Sequence, residues 1–328
     1  MAKHYANDQP EGFVNRIKNV AVVGAGGQIG RVFAEHLLAA GNHTVTAITR
    51  KDSKSVLPEG VKAAPVDYND EDSIVSALKG QDVLVITMSL SAPPDTQTKL
   101  VKAAAKAGVQ YIMPNTYGIN FLGSEALRKD LPVGNGIVER VAEVREQGLS
   151  AIALVPSFWY EYSLSFGDST FGFNLKGRKL TFYDDGNLAI NVSTWPQCGR
   201  AIAALLSLKI MPDSEDDDSV TISSFRERPL FINSFRVSQR DILNSVLKTT
   251  GTTEADWEIA HQSTEDRFKE GGEELAQGNQ LGFYKAMYAR AFYPSGDANF
   301  EDDNQLLGLP SESLDEATLE AIEMSKRL

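Results

Sequence analysis

The chain has 328 residues, of which 42% are hydrophobic and 23% are charged, and its formal net charge is −12 at pH 7. This acidic balance argues against a general nucleic-acid-binding surface, because neutralising phosphates requires clustered Lys and Arg. No stretch of the sequence approaches the ~18 consecutive apolar residues that cross a membrane. A single cysteine, Cys198, excludes an intramolecular disulfide and favours a reducing compartment. We therefore predict a cytoplasmic protein, either a monomer or a homodimer.

The chain begins with a polar segment. Residues 1–18 lack the apolar core of a signal peptide, and we expect them to form a flexible leader. The first apolar run, residues 20–23, follows this segment directly. The folded part of the chain is therefore expected to begin at residue 19.

A glycine-rich turn, Gly24-Ala25-Gly26-Gly27-Gln28-Ile29-Gly30, follows the apolar run and leads into a helix-like segment. In a dinucleotide-binding turn, Gly24 would permit the sharp exit from the strand, while Gly26 and Gly27 would let the backbone approach a pyrophosphate held by helix N–H groups. Gly30 would let the helix lie close to the sheet. The alternative is a purely structural turn. The residues predicted here to bind a dinucleotide are Gly24, Gly26, Gly27, Gln28, Ile29 and Gly30.

Beyond this turn, short apolar strands alternate regularly with amphipathic helices. Such alternation predicts parallel strands joined by right-handed crossovers. We therefore predict an α/β fold, a Rossmann-type doubly wound parallel sheet. Strands are expected at residues 19–23, 44–49, 62–66, 83–87, 109–113 and 151–155, and helices at residues 28–40, 71–79, 96–107 and 136–147.

The end of the second predicted strand bears on which dinucleotide is bound. An NAD site of this kind usually has Asp or Glu there, which accepts a hydrogen bond from the ribose 2′-hydroxyl. This chain has Arg50 and Lys51 instead, and two cations suit the 2′-phosphate of NADP. We predict NADP(H) as the cofactor; the alternative is that both residues begin a solvated loop. Asp67, at the end of the third strand, would lie near the adenine or else cap the following helix.

The sequence pattern changes after Pro156, and aromatic and polar residues interleave from Ser157 onward. We expect residues 19–157 to form the NADP-binding Rossmann domain. Residues 158–328 would then form mainly a smaller C-terminal substrate-binding region. We expect this region to share some strands and helices with the Rossmann sheet.

Several of these segments together resemble a known family. The glycine-rich turn, Thr49-Arg50, Val66-Asp67-Tyr68, residues 78–82 and the run Met113-Pro114-Asn115-Thr116-Tyr117-Gly118 are similar to the NmrA-like atypical short-chain dehydrogenases. That family includes the isoflavone, phenylcoumaran benzylic ether and pinoresinol–lariciresinol reductases. Residues 158–161 and 193–200 resemble its fungal, CipA-like members. The resemblance implies an NADP-binding Rossmann fold with a C-terminal substrate cleft, and it suggests a role in secondary metabolism.

One feature of the family is missing from this chain. The plant reductases carry a lysine, on the helix after the fifth strand, that serves as a general acid or base. Counting back from Gly148, that position falls at Ile137 here. Nor does Tyr117 begin the Tyr-x-x-x-Lys motif of ordinary short-chain dehydrogenases, because Phe121 stands at the lysine position. Lysine chemistry is therefore not carried over to this chain.

The residues that follow the fourth and fifth strands are candidates for chemistry, because parallel sheets bind ligands beyond the carboxyl ends of their strands. We expect Tyr117 to donate a proton near the nicotinamide and Asn115 or Thr116 to orient the substrate. Asn115 would also contact the cofactor. Alternatively, the Tyr117 ring packs under the nicotinamide as an aromatic wall. The other residues expected to contact the cofactor at these strand ends are Thr87, Met88, Ser89 and Pro114.

An aromatic cluster, Phe158, Trp159 and Tyr160, follows the sixth strand. Aromatic walls with a few polar tips suit flat organic ligands. We expect this cluster, with Tyr117, to line the substrate pocket; simple core packing is the alternative.

The motifs that are missing exclude other classes of enzyme. No serine-hydrolase elbow and no zinc motif occurs, and we interpret the acidic run 213–218 as a solvated loop rather than a metal site. The sequence favours an NADPH-dependent reductase of a small aromatic or polyketide-like secondary metabolite, with no metal and no nucleic-acid or membrane partner. The alternatives are a non-catalytic, NADP-sensing regulator that acts through a protein partner, and a cofactor-assisted isomerase or cyclase.

Overall fold

A parallel sheet organises the first half of the chain, as seen in a computed structural model that describes residues 5–89 and 92–327. Its strands are β1 (Asn19–Val23), β2 (Thr44–Arg50), β3 (Lys62–Val66), β4 (Val83–Ile86), β5 (Tyr111–Met113) and β6 (Ser150–Ala151). They lie in the order β3-β2-β1-β4-β5-β6, and every neighbouring pair is parallel. The direction of winding therefore reverses between β1 and β4, which is where such sheets bind ligands.

Helices cover both faces of this sheet. Those of the first half are α1 (Gln28–Ala39), α2 (Glu71–Leu78), α3 (Thr96–Ala107), α4 (Glu125–Asp130) and α5 (Val133–Glu146). Phe33 and Leu37 of α1 are buried in the core on one face. Ile74 of α2, Leu100 of α3 and Val144 of α5 are buried in the core on the other face. The predicted α/β fold, a Rossmann-type doubly wound sheet, is confirmed.

Two elements begin two or three residues away from the predicted position, for local reasons. The fifth strand begins at residue 111 rather than 109, because Gly108 ends α3 in the left-handed region (φ 83°) and Val109 still donates a hydrogen bond to Ala104. Helix α5 begins at residue 133 rather than 136 and includes Gly134. A Cβ at Gly134 would overlap the Phe121 ring, so this helical glycine serves packing against that ring.

The second half of the chain forms small sheets of its own. The strand predicted at 151–155 is divided: β6 stays in the main sheet, whereas the next strand, β7 (Leu154–Val155), pairs with a strand from the second half. The remaining strands are β8 (Phe158–Trp159), β9 (Phe173–Asn174), β10 (Lys179–Tyr183), β11 (Ala189–Ser193), β12 (Leu230–Phe231), β13 (Phe235–Ser238) and β14 (Glu258–Gln262). Their sheets have the orders β14-β10-β9, β13-β11-β8 and β12-β7.

Helices connect the two halves of the molecule. Those of the second half are α6 (Tyr160–Ser165), α7 (Trp195–Ser207), α8 (Gln239–Thr250), α9 (Thr264–Ala276), α10 (Leu281–Ala291) and α11 (Leu314–Ser325). Helix α7 packs against α1, where Cys198, Ile202 and Leu205 enter the same core as Phe33. The expected sharing of helices stays a prediction. The expected sharing of strands was wrong for the described residues, because no strand of the second half joins the six-stranded sheet.

The expected leader is packed against the second half over residues 5–18. Residues 1–4 of that segment lie outside the described part of the chain. The Asn15 side chain donates hydrogen bonds to the Met211 carbonyl (2.8 Å) and to Asp213 (2.9 Å), and Ile17 is buried. These contacts correct the expectation of a loose leader for the described residues, because buried apolar surface and paired amides stabilise an ordered segment.

A buried carboxyl group joins two helices of the second half. Glu161 on α6 is 5% exposed, and its carboxylate accepts a hydrogen bond from the backbone N–H of Trp195 at the start of α7 (3.1 Å). Burial is the main cause that raises the pKa of Glu161 to about 7; the nearby Glu312 and Glu320 carboxylates add to this rise, and backbone hydrogen bonds oppose it. Glu161 is therefore a site where proton binding and folding are coupled.

We predict that Glu161→Gln removes a pH-dependent loss of stability. The folded state keeps the Glu161 proton up to about pH 7, whereas the unfolded chain releases it near its ordinary pKa of 4.5. The contribution of Glu161 to the free energy of unfolding is therefore fully present below pH 4.5. The wild type loses about 3 kcal/mol of this contribution as pH rises from 4.5 through 7. Urea unfolding of both proteins across this range measures the difference, and parallel stability profiles would contradict the prediction.

Candidate functional site

A cavity of about 460 Å³ opens at the carboxyl ends of β1, β4 and β5. This volume lies within the range of small-molecule and cofactor sites. The glycine-rich turn and the residues that follow β4 and β5 form one side of the cavity. Aromatic residues from β8, α6 and α10 form the opposite side. The cavity therefore brings together the predicted cofactor turn and the predicted substrate wall.

Close backbone packing forms the glycine-rich side of the cavity. Gly24 has a positive φ (83°), and a Cβ at Gly30 would overlap the Gly24 carbonyl oxygen and the Thr87 hydroxyl. Helix α1 begins without a side-chain N-cap and without an acidic residue in its first turn. Its first N–H groups are therefore not covered by a side chain of the turn, which suits an anionic ligand. The predicted turn residues that line the cavity are Gly24, Gly27, Gln28, Ile29 and Gly30.

Gly26 differs from the other predicted glycines because it is not among the residues that line the cavity. A Cβ built on it would lie 2.6 Å from the Cβ of Ser55. The lack of a side chain at Gly26 therefore allows the loop after β2 to lie against the turn. Its predicted contact with a pyrophosphate stays a prediction.

The residues after β4 and β5 meet at the cavity floor. Thr87 is anchored, since its hydroxyl donates a hydrogen bond to the Val23 carbonyl (2.7 Å). The Asn115 side-chain amide donates to the Met88 carbonyl (3.1 Å), which joins the two strand ends. The predicted residues from these strand ends that line the cavity are Thr87, Met88, Ser89, Asn115 and Tyr117. Pro114 is buried behind them and is not among the lining residues.

One face of α5 also lines the cavity. Val133, Ile137 and Arg140 are spaced by four and three residues, so they lie on the same side of the helix. Ile137, where the resemblance places the lysine of the plant reductases, is thus an apolar lining residue, and no lysine lines the cavity in the described part of the chain. The Arg140 guanidinium donates to the Asn115 carbonyl (2.9 Å), and burial lowers its pKa.

Tyr117 lines the cavity with its ring, but its hydroxyl is buried. The ring packs edge-on against Phe33, with centroids 5.2 Å apart, and the hydroxyl has no hydrogen-bond partner among the described residues. Burial strongly raises the pKa of this phenol, and the neighbouring Cys198 thiol raises it further. A hydroxyl without accessible surface cannot reach a ligand, so the predicted role of Tyr117 as proton donor is wrong in this arrangement. The geometry matches the alternative, an aromatic wall.

The aromatic cluster after β7 is divided between the cavity and the core. Phe158 and Trp159 line the cavity, and the Phe158 ring stacks on Tyr288 of α10 with centroids 3.8 Å apart. Tyr160 does not line it: the side chain is fully buried, and its hydroxyl hydrogen-bonds with Thr318 (2.7 Å). The prediction that Tyr160 contacts substrate was therefore wrong, because Tyr160 begins α6 and points into the second core.

Several lining residues were not predicted from the sequence. The aromatic and sulfur-containing members come from α6 and α10, far along the chain from the glycine turn. They are Tyr162, Phe283, Tyr284, Met287 and Tyr288. The spacing of the last four predicts one side of a helix. Nothing local in that spacing indicates which surface the helix covers.

A second hollow, of about 300 Å³, lies where β2 and β3 end. Arg50, Lys51 and Asp67 line it together with Tyr68. The Arg50 side chain is 72% exposed, and its ion pair with Asp52 is long (3.9 Å). The side chain is thus free to engage a phosphate in this hollow. Asp67 does not cap α2, because Asp70 accepts the hydrogen bond from the Ser73 N–H.

Within residues 5–89 and 92–327, no group of three His, Cys, Asp or Glu residues is arranged to hold a metal ion. In the same ranges no helix combines the length and apolarity needed to cross a membrane.

Comparisons with known proteins agree with this architecture. The model of the NmrA-like family matches residues 16–135. Oxidoreductase aprR of Aspergillus flavus is 29% identical over 305 residues, which cover 90% of this chain and 96% of that protein. An isoflavone reductase crystal structure has a TM-score of 0.71 at 20% identity, over 92% of this chain and 98% of that one. The structure of AtPrR2 with NADP⁺ and (+)-pinoresinol has a TM-score of 0.71 at 18% identity, over 96% of this chain and 100% of that one.

The fold and the cavity define a Rossmann-type α/β protein with a ligand site where the winding of its sheet reverses. The match of the NmrA-like family model to residues 16–135 and the similarity to oxidoreductase aprR support an NmrA-like, isoflavone reductase-like family for this chain. The family resemblance predicted from the sequence is therefore confirmed.

We predict that Tyr117→Phe leaves ligand binding and turnover within about twofold of wild type and does not lower stability. The substitution removes a buried hydroxyl that has no partner among the described residues. Tyr160→Phe is the matched control, because it breaks the hydrogen bond to Thr318 and should cost about 1 kcal/mol. Urea unfolding and NADPH titration of both variants check this. A large loss of turnover in Tyr117→Phe, with stability unchanged, would restore the phenol as a proton donor.

Proposed function

We propose that the protein is an NADPH-dependent reductase of a small aromatic or polyketide-like secondary metabolite. The observation that carries this proposal is the continuity of one cavity from the glycine-rich turn to the wall of Phe158 and Trp159. A coenzyme bound by the turn would share the cavity with a flat ligand bound by the wall. Hydride transfer requires such proximity of donor and acceptor.

The similar proteins support the reductase class. Oxidoreductase aprR resembles this chain over most of its length, and the isoflavone reductase shares its fold. The AtPrR2 structure contains NADP⁺ and the small molecule (+)-pinoresinol. By analogy, residues 19–157 would hold NADP(H) and residues 158–328 would supply most of the substrate contacts.

The residues present suit NADPH. The uncapped first turn of α1, with Gly27 and Gln28, would hold the diphosphate, and Arg50 and Lys51 would hold the 2′-phosphate. Asp67 lies in the same hollow and would face the adenosine part. NADPH, when bound, supplies the hydride.

The described side chains would act mainly by positioning the bound coenzyme and substrate. The Asn115 amide is already held by the Met88 carbonyl, so it would keep a fixed orientation toward a bound ligand. The Tyr117 ring would exclude water from one side of the cavity, while its hydroxyl stays in the core. No lysine from the described ranges reaches the cavity, so a lysine general acid plays no part in this scheme.

A sensor that binds NADP without turnover is the second candidate. Two observations favour the sensor. Ile137 stands where the resemblance places the plant reductases' lysine, and the Tyr117 hydroxyl is buried. The test is NADPH oxidation by purified protein with a panel of aromatic enones, quinones, aldehydes and benzylic ethers. Oxidation above the rate without protein supports the reductase. Tight NADPH binding with no oxidation across the panel supports the sensor, and product formation without net NADPH loss supports an isomerase or cyclase.

The preference for NADPH should depend on Arg50. Replacing it with alanine removes a bidentate partner of the 2′-phosphate, so we expect the NADPH Kd to rise about 10- to 100-fold. The NADH Kd should stay within about twofold, because NADH lacks that phosphate. Lys54→Ala is the matched control, since it removes a cation from the same loop at a position outside the hollow. Calorimetric titration of the wild type and both variants measures all six constants, and equal wild-type affinity for NADH and NADPH would refute the assignment.

A further inference from the structure

Arg140 is the one charged residue among the described residues that line the main cavity. Its neighbours on the same helix face, Val133 and Ile137, are apolar, and the opposite wall is aromatic. A cation in such surroundings loses hydration that must be compensated. The chemistry of the cavity is therefore asymmetric, with one fixed positive charge facing an apolar wall.

The described part of the chain leaves most of the hydrogen-bonding capacity of Arg140 unused. A guanidinium has five N–H donors. One nitrogen of Arg140, Nη1, donates to the Asn115 carbonyl (2.9 Å), and no carboxylate in the described ranges forms an ion pair with it. The nearby Glu143 carboxylate instead accepts from Gln97 (3.3 Å). Burial accordingly lowers the pKa of Arg140 without an opposing acid, although a guanidinium keeps its charge at neutral pH.

Neighbouring groups fix both the position and the orientation of the Arg140 side chain. The Gln97 side chain donates to the Arg140 carbonyl (3.2 Å), and the bond to Asn115 directs the guanidinium toward the end of β5. Arg140 thus approaches the part of the cavity where Asn115 and Tyr117 lie. An acceptor that arrives there would find remaining N–H donors in a planar, preorganised group.

We propose that the ligand of this cavity is a flat aromatic compound with an ionised oxygen substituent, carboxylate or phenolate, and that Arg140 binds this oxygen. The aromatic part would pack between Trp159 and the α10 residues, with Phe158 fixed behind them by its stack on Tyr288. As a substrate assignment, this rests on the reductase function proposed above. As a statement about binding, it stands on the cavity alone.

The experiment compares anionic and neutral aromatic probes. Naphthoate, picrate and the neutral methyl naphthoate are titrated calorimetrically into wild type, Arg140→Gln, Arg140→Lys and Arg145→Gln, with and without NADPH. Arg145 lies on the same helix but outside the cavity, where it donates to the Arg226 carbonyl, so its loss is a matched change of charge. Naphthoate tests a carboxylate ligand, and picrate tests a phenolate.

We expect the wild type to bind at least one anion about 10- to 100-fold more tightly than the ester, and Arg140→Gln to lose that difference. Arg140→Lys should restore part of it, Arg145→Gln should behave as wild type, and ester binding should be unchanged throughout. Equal wild-type affinity for anions and ester, or equal losses in Arg140→Gln and Arg145→Gln, would overturn the inference. The titrations without NADPH separate the failure of this inference from the failure of the proposed function. If the protein does not bind NADPH, the proposed function is wrong, but the anion titrations still test the role of Arg140.

Discussion

The site depends on the close approach of the first turn of α1 to the ends of β1 and β4. Gly24 and Gly30 make this approach possible, and the Thr87 hydroxyl fixes it by donating to the Val23 carbonyl. Side chains at the two glycines would collide with a backbone oxygen and with the anchored Thr87 hydroxyl, and close-packed interiors have little room to yield. The helix N-terminus is thereby held at the floor of the cavity, where its N–H groups and dipole favour an anion.

A different interaction holds the opposite wall. The stack of Phe158 on Tyr288 joins β8 to α10, and the Tyr288 hydroxyl hydrogen-bonds with Ser163 of α6 (2.6 Å). Aromatic stacking fixes the separation of the two rings, while the hydroxyl pair fixes the rotation of α10 about its axis. Since these elements belong to the second half and the glycine turn to the first, the cavity exists only when both halves pack together. The contact of α7 with α1 provides that packing.

How far the sequence predicts the molecule depends on the range of the interactions involved. The glycine turn and the strand–helix alternation are local patterns, and the fold they predict is confirmed. Trp159 and Tyr160 are adjacent and both aromatic, yet one lines the cavity and the other is buried, since the chain turns from β8 into α6 between them. Arg140 was missed although the predicted helix at residues 136–147 contains it, because no local pattern shows which face of that helix lines the cavity. The α10 wall is a contact between distant segments, which no local pattern encodes.

This side of the cavity presents Ile137 and, one turn further along, Arg140, with no lysine among the described lining residues, and this determines what it can do. A lysine ammonium can release a proton when burial lowers its pKa, so it can serve as a general acid. A guanidinium keeps its protons at neutral pH and instead offers fixed, planar donors. In place of a group that exchanges protons, this helix face therefore presents a permanent positive charge beside an apolar surface. Such a charge stabilises negative charge on a bound ligand without titrating itself, so the chemistry of the cavity is set by electrostatics and orientation.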